Sequence, residues 1–210
     1  MDPLYGWIMV ASVFTLSDLS FGTLGSVSVF LKPLVLEFGW TRAEASLGYT
    51  VISFSSAIFG ILWGQLADRY GSRYFGFMAS VAMAACLILL SEQSSLIQFY
   101  SLYFVFGALG NAMLGAPLYA NVGYWFEKNP GLALGITAAG GAFGQGVVPM
   151  GAALLIENYG WQSAYLILGV SYFLIGFPLA FLIREPPTRQ NSEAQLTTAG
   201  DSFPLGERET

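Results

Sequence analysis

The feature that most limits this chain is the spacing of its charges. Ala45 to Ala67 carries none, and neither do Tyr74 to Ser91, Gln93 to Phe126, Asn129 to Ile156 or Asn158 to Ile183. Between Asp2 and Lys32 the only charge is Asp18. A helix needs about 20 predominantly apolar residues to cross the hydrocarbon core of a bilayer, and each run supplies roughly that many. Transmembrane strands would be shorter and would alternate polar with apolar side chains, which these runs do not. The spacing predicts an all-α membrane protein with six transmembrane helices, at roughly 5–31, 44–66, 74–91, 96–121, 131–156 and 161–183.

Composition closes off other classes. Of 210 residues, 55% are hydrophobic and only 10% charged, whereas a soluble domain carries about 25% charged residues. A net charge of −5 argues against nucleic acid as a partner, which requires clustered Lys and Arg. There is no His, and Cys86 is the single cysteine. No disulfide framework follows, no metal site or cofactor is expected, and the usual acid–base and nucleophilic pairs of an enzyme are missing. Cys86 reads as a small apolar filler. The opening "MDPLYGWIMV" lacks a basic n-region and runs into a span-length segment, so the first span is expected to be its own targeting signal. The expected location is the plasma membrane or a bacterial inner membrane, with the lipid bilayer as first partner.

Lys and Arg set the orientation. With both termini cytoplasmic, that side holds Arg69, Arg73, Lys128, Arg184 and Arg189, against Lys32 and Arg42 outside; the bias favours this arrangement. Residues 1–183 form the six-span bundle. Residues 184–210, opening "REPPTRQNSEAQ", are polar and aperiodic, and read as a disordered cytoplasmic tail or the start of a central linker.

The chain also echoes itself. "LADRYGSRYF" after the second span resembles "LIENYGWQSAYL" after the fifth, with Gly71 and Gly160 in matching places. Spans one to three and four to six are then two copies. An odd number of spans per copy inverts the second, giving a 3+3 inverted-repeat bundle, a construction common among secondary transporters.

The stretch Gly64 to Gly76, "GQLADRYGSRYFG", gathers Asp68, Arg69 and Arg73 around Gly71. Gly64, Asp68, Arg69, Gly71 and Arg73 reproduce G-x-x-x-D-R-x-G-x-R, the loop signature between spans two and three of the major facilitator superfamily, although a frequent second basic residue is Tyr74 here. Residues 5–187 as a whole resemble an N-terminal six-helix half of that superfamily. "VFLKPLVLEFGWTRAEASLG", "YWFEKNPGLALGITAAGGAFG" and "YGWQSAYLILG" are similar to its monocarboxylate and oxalate–formate carrier branch. On charge alone the loop is a solvated, positive-inside connection. With the whole signature present, it reads as a conformational latch: Gly71 permits a tight turn, Gly64 lets backbones approach, and Asp68 faces a helix N-terminus. The resemblance implies that the loop braces against a second six-span half.

Asp18 is the only ionisable group in mid-span. A carboxylate at bilayer depth costs at least about 2.5–3.5 kcal/mol, so such a residue normally faces a cavity or a partner. Thr15, Gly22 and Gly25 lie at i−3, i+4 and i+7, a narrow polar stripe on one face. The functional reading is a proton or substrate site; the structural one is a protonated acid bonded to a neighbour. In the monocarboxylate branch, the position resembling Gly25 often carries an anion-binding lysine, so an anionic solute would take its cation from elsewhere, the second half being the expected source. Gln145 in the glycine-rich fifth span, Asn111 and Asn121 in the fourth, and Tyr49 with Ser53 in the second are further cavity candidates. Each also suits an interhelical hydrogen bond. Trp7, Trp40, Trp125 and Trp161 fall near span ends, as interface anchors do.

The resemblance implies secondary active transport of a small solute, an organic anion such as a carboxylate, by alternating access. A single bundle offers one wall of a pathway, so the partner expected is a second six-span half, from a longer chain or from another copy. The competing class is a non-transporting truncated or interaction protein that keeps the half-bundle fold.

Overall fold

A computed structural model describes residues 3–126 and 128–185, and every regular element among these is helical. Helix α1 spans Pro3–Phe38, α2 Arg42–Tyr70, α3 Arg73–Leu90 and α4 Leu96–Val105. A π-helical turn, Phe106–Asn111, continues α4 into α5 (Ala112–Leu114); α6 (Ala116–Tyr124) and α7 (Pro130–Leu182) follow. Residues 186–210, which hold nearly all of the expected tail, lie outside the described residues.

Local chemistry explains the boundaries. Helix α1 runs past the expected end at residue 31, because Pro33 sits inside it and costs one hydrogen bond without halting the chain. It stops at Gly39, whose φ of 69° lets its N–H return to the Val35 carbonyl at 3.1 Å, the left-handed cap that glycine adopts without strain. Thr41 and Glu44 then form a reciprocal capping box at the start of α2, satisfying donors that a helix start leaves open. In the fourth crossing, the π turn throws a carbonyl out of register. Trp63 uses it: its Nε1 donates to the Ala108 oxygen at 2.6 Å.

Among the described residues, five helical stretches are long and apolar enough to cross a membrane, the last being Pro130–Leu182. That element holds 53 residues, about 80 Å at 1.5 Å per residue, far more than one hydrocarbon core of about 30 Å. Gly160 interrupts it with φ 81° and ψ 165°, outside the helical region. The contacts on α1 show that the chain reverses there. Gly140, Gly144 and Gly22 bring residues 140, 144 and 148 against residues 14, 18 and 22, so the first part of α7 runs parallel to α1. Tyr165 stacks on Phe30 at 3.8 Å, Tyr172 donates to the Leu19 carbonyl, and Tyr5 donates to the Leu182 carbonyl at 2.6 Å. Those numbers fall as the others rise, so the second part runs antiparallel.

The pairing carries the signature of two inverted copies. Helix α1 lies parallel to residues 130–159 through glycine contacts. Helix α2 lies parallel to the fourth crossing in the same manner: Gly48 meets Phe99 and Tyr103, Gly107 meets Ile52 and Ser55, and Ser56 Oγ donates to Asn111 Oδ1 at 3.2 Å. Exchanging the copies maps one pair onto the other. The remaining pair, α3 with residues 161–182, maps onto itself. It is antiparallel, with Gly76 against Ile183, Ser80 against Gly176 and Ile88 against Gly169. Lipid tails are as apolar as leucine, so close approach over small residues replaces hydrophobic burial as the force between such helices.

Candidate functional site

Two places bring together residues singled out in the sequence. The first is the end of the bundle at Gly71. Helix α2 ends there with φ 85° and ψ 159°, a conformation essentially reserved for glycine. Ser72 and Arg73 begin α3, and their backbone N–H groups point at a carboxylate. It is Glu185, three residues past the end of α7: Ser72 N and Oγ donate to its Oε1, the hydroxyl at 2.8 Å, and Arg73 N donates at 3.3 Å. A carboxylate there meets the orphan donors and the positive end of a helix together. Asn121 of α6 closes the group, its Nδ2 donating to Ser72 Oγ, to the Arg184 carbonyl at 3.1 Å and to Glu185 Oε2 at 3.4 Å. Trp125 Nε1 donates to Asn121 Oδ1 at 3.1 Å and so fixes the amide orientation. A Cβ on Gly71 would sit 3.0 Å from Glu185 Oε1. Gly71 is therefore required by its backbone, and a Cβ there would also press on the carboxylate against it.

The other members of the motif are differently placed. Arg69 and Arg73 are exposed, and the Arg69 guanidinium lies 5.5 Å from the Tyr70 ring centroid. A Cβ on Gly64 would meet only Ala116 Cβ at 3.7 Å, an ordinary contact, so no close backbone approach depends on it here. The side chain of Asp68 lies outside the described residues.

The second place is the crossing of α1 with residues 140–149. A Cβ on Gly144 would overlap the Asp18 carbonyl oxygen, one on Gly140 the Phe14 carbonyl, and one on Gly22 the Val148 side chain. Gly25 lies against Pro149 and Gln145. Gly22 and Gly25, read as part of a polar stripe, thus form a packing seam. Asp18 is half-buried within it. Its Oδ1 is buried and has no hydrogen-bond partner among the described residues, and the same holds for the hydroxyls of Ser17 and Ser20. Across α1, Thr23 Oγ1 donates to Tyr172 OH at 2.5 Å. The first span thus carries buried hydroxyls with a half-buried carboxyl beside them.

The remaining candidates scatter. Tyr49 and Gln145 are exposed, and Ser53 is half-buried. Asn111 is buried and bonded to Ser56. Asn121 belongs to the Glu185 group and not to a mid-membrane cavity. Of the four tryptophans expected as anchors, Trp125 and Trp161 are buried, so Trp125 is a structural donor more than an interface anchor. Glu185 was missed because it follows the last span in a stretch that reads as tail. Its only sequence signal is its place directly before the double proline.

Comparison with known proteins agrees with this architecture. The family model of the Major Facilitator Superfamily matches residues 10–205, and the chain belongs to that superfamily. It is 28% identical over 203 residues to riboflavin transporter RibJ of Trypanosoma brucei brucei, covering 94% of this chain and 37% of that protein. It is 32% identical over 180 residues to monocarboxylate transporter 4 of Rattus norvegicus, covering 80% of this chain and 36% of the relative. A crystal structure of a mutant peptide transporter, POT, in complex with sulfate superposes with a TM-score of 0.70 at 18% identity, covering 92% of this chain and 44% of that one. The chain spans about a third of the length of the curated relatives it matches.

Proposed function

We propose that this chain is the N-terminal half of a secondary active carrier that moves a small organic anion, such as a carboxylate, by alternating access. The observation that carries the reading is the pairing pattern: two inverted copies held by glycine contacts, in a chain matching about a third of the length of longer transporters. On this reading Pro130–Leu182 crosses the membrane twice, reversing at Gly160, and the six crossings leave both termini cytoplasmic. Asp18 serves as the proton-binding group of the half, and the Gly71 turn with Asp68, Arg69 and Arg73 is the latch toward the second half. Asn111, Tyr49 and Gln145 are available to line the shared pathway. Glu185 holds the start of the inter-half linker on the latch loop, so movement of one is felt by the other. Relatives bearing the name monocarboxylate transporter support the anionic class.

The test is uptake of radiolabelled lactate in cells lacking their own carriers. One strain expresses the chain alone, and another expresses it joined through residues 184–210 to the second half of a related monocarboxylate transporter. Saturable uptake by the joined form only is the expected result. No uptake by either, with both correctly inserted, would leave the truncated, non-transporting class.

A further inference from the structure

At the end of the bundle away from Gly71 lies a recess of about 420 Å³, lined by Ser28, Leu31, Lys32, Val35, Leu36 and Arg42. Ser28, Leu31, Lys32 and Val35 follow at three- and four-residue spacing and so share one face of α1. Arg42 is the first residue of α2 and enters from beyond the Gly39 turn. Both cations are exposed, and among the described residues neither is engaged in a hydrogen bond or ion pair. The carboxylates adjacent in sequence do not neutralise them. Glu44 is spent on Thr41, whose N and Oγ1 both donate to its Oε2 at 2.8 Å, and Glu37 is not among the lining residues. The Ser28 hydroxyl already donates to the Gly25 carbonyl at 2.9 Å.

We infer that Lys32 and Arg42 form a binding site for an amphipathic organic anion, with a carboxylate between the ammonium and the guanidinium and an apolar body on Leu31, Val35 and Leu36. Two like charges facing one apolar recess repel each other and are relieved by a single anion. The guanidinium offers a planar fork matched to a carboxylate. The N-terminus of α2 adds its own positive end beside Arg42. A volume of this size, mostly apolar with a few convergent polar groups, suits a small ligand. The site supplies from this half the cation that position 25 lacks. It takes its ligand class from the carrier reading above, but its test reads binding in this chain alone.

The chain has two lysines, Lys32 and Lys128, which lie at opposite ends of the bundle, so acetylation can be followed at each by mass spectrometry. Purified chain in detergent is treated with N-hydroxysulfosuccinimidyl acetate at about 0.15 M salt, where long-range attraction is screened. The probe is 2-naphthoate, with uncharged 2-naphthamide as control. The expected result is a saturable, several-fold slowing at Lys32 by the carboxylate only, no change at Lys128, and loss of most of the protection in Arg42→Gln. Equal slowing by the amide, equal slowing at Lys128, protection that survives Arg42→Gln, or none at all would overturn the site. Lactate transport by the joined carrier with an unprotected Lys32 would discard the recess and leave the carrier reading standing.

Discussion

Gly71 and Gly160, 89 positions apart, hold nearly the same backbone conformation: φ 85° and ψ 159° in one, φ 81° and ψ 165° in the other. Each stands at the turn between the second and third segment of its copy. Any other residue there costs about 1–3 kcal/mol in backbone strain. Their surroundings differ, since a Cβ at 71 presses on Glu185 at 3.0 Å, whereas one at 160 meets only Gln162 Oε1 at 3.6 Å. Both Gly71→Ala and Gly160→Ala should lower the thermal midpoint in detergent, and Gly71→Ala should lower it more. Equal midpoints would show that Glu185 does not occupy the Gly71 turn.

Glu185→Ala leaves Ser72 N, Arg73 N and the Asn121 amide without their shared acceptor, a loss of about 1–3 kcal/mol. Proteolysis after Leu182 should become faster. Glu185→Gln keeps an acceptor oxygen but loses the charge at the helix terminus, worth about 0.3–1 kcal/mol, and should fall between wild type and alanine. If Glu185→Ala is cleaved no faster than wild type, the clasp is absent in the membrane.

Gly144→Val pushes a branched side chain into the Asp18 carbonyl and must separate α1 from its partner. Overpacking of side chains alone costs about 1–3 kcal/mol, and backbone has less room to yield. Gly146→Val, where a Cβ meets nothing within 4 Å, serves as control. Fluorescence-detected size exclusion should show loss of the folded peak for position 144 only. Similar profiles would remove the glycine seam.

These sites show what can be read from a sequence and what cannot. Charge-free runs located the long apolar helices because the bilayer disfavours every charge alike, wherever its neighbours lie. The repeated Tyr-Gly pair pointed to both turns, since a conformation closed to other residues leaves a glycine behind in the sequence. The glycines of the fifth span announced close approach but not which helix approaches; that Gly144 sits beneath Asp18 depends on the fold. The end of α1 was misplaced because Pro33 is tolerated inside a membrane helix. Glu185 escaped because a cap formed 113 positions from Ser72 leaves no local pattern, and the π turn at Phe106–Asn111 has no compositional mark.

Asp18→Asn keeps the shape and hydrogen-bonding capacity of a side chain whose Oδ1 has no partner among the described residues, so insertion and folding should be unchanged. If the acid is the proton-binding group, lactate uptake by the joined carrier should lose its dependence on external pH. Identical pH profiles for wild type and Asp18→Asn, at matched membrane levels, would make the residue structural.

The most direct measurement is counterflow in proteoliposomes preloaded with unlabelled lactate and diluted into a trace of labelled lactate. A carrier whose single site alternates between the two faces exchanges internal unlabelled for external labelled lactate, and so concentrates label against its own gradient until the unlabelled gradient decays. The chain joined to a second half is predicted to give a transient overshoot of internal label. The same chain without a second half should match empty vesicles. An overshoot from the 210-residue chain alone, or none from the joined protein when both are correctly inserted, would contradict the account of this chain as one half of an alternating-access carrier.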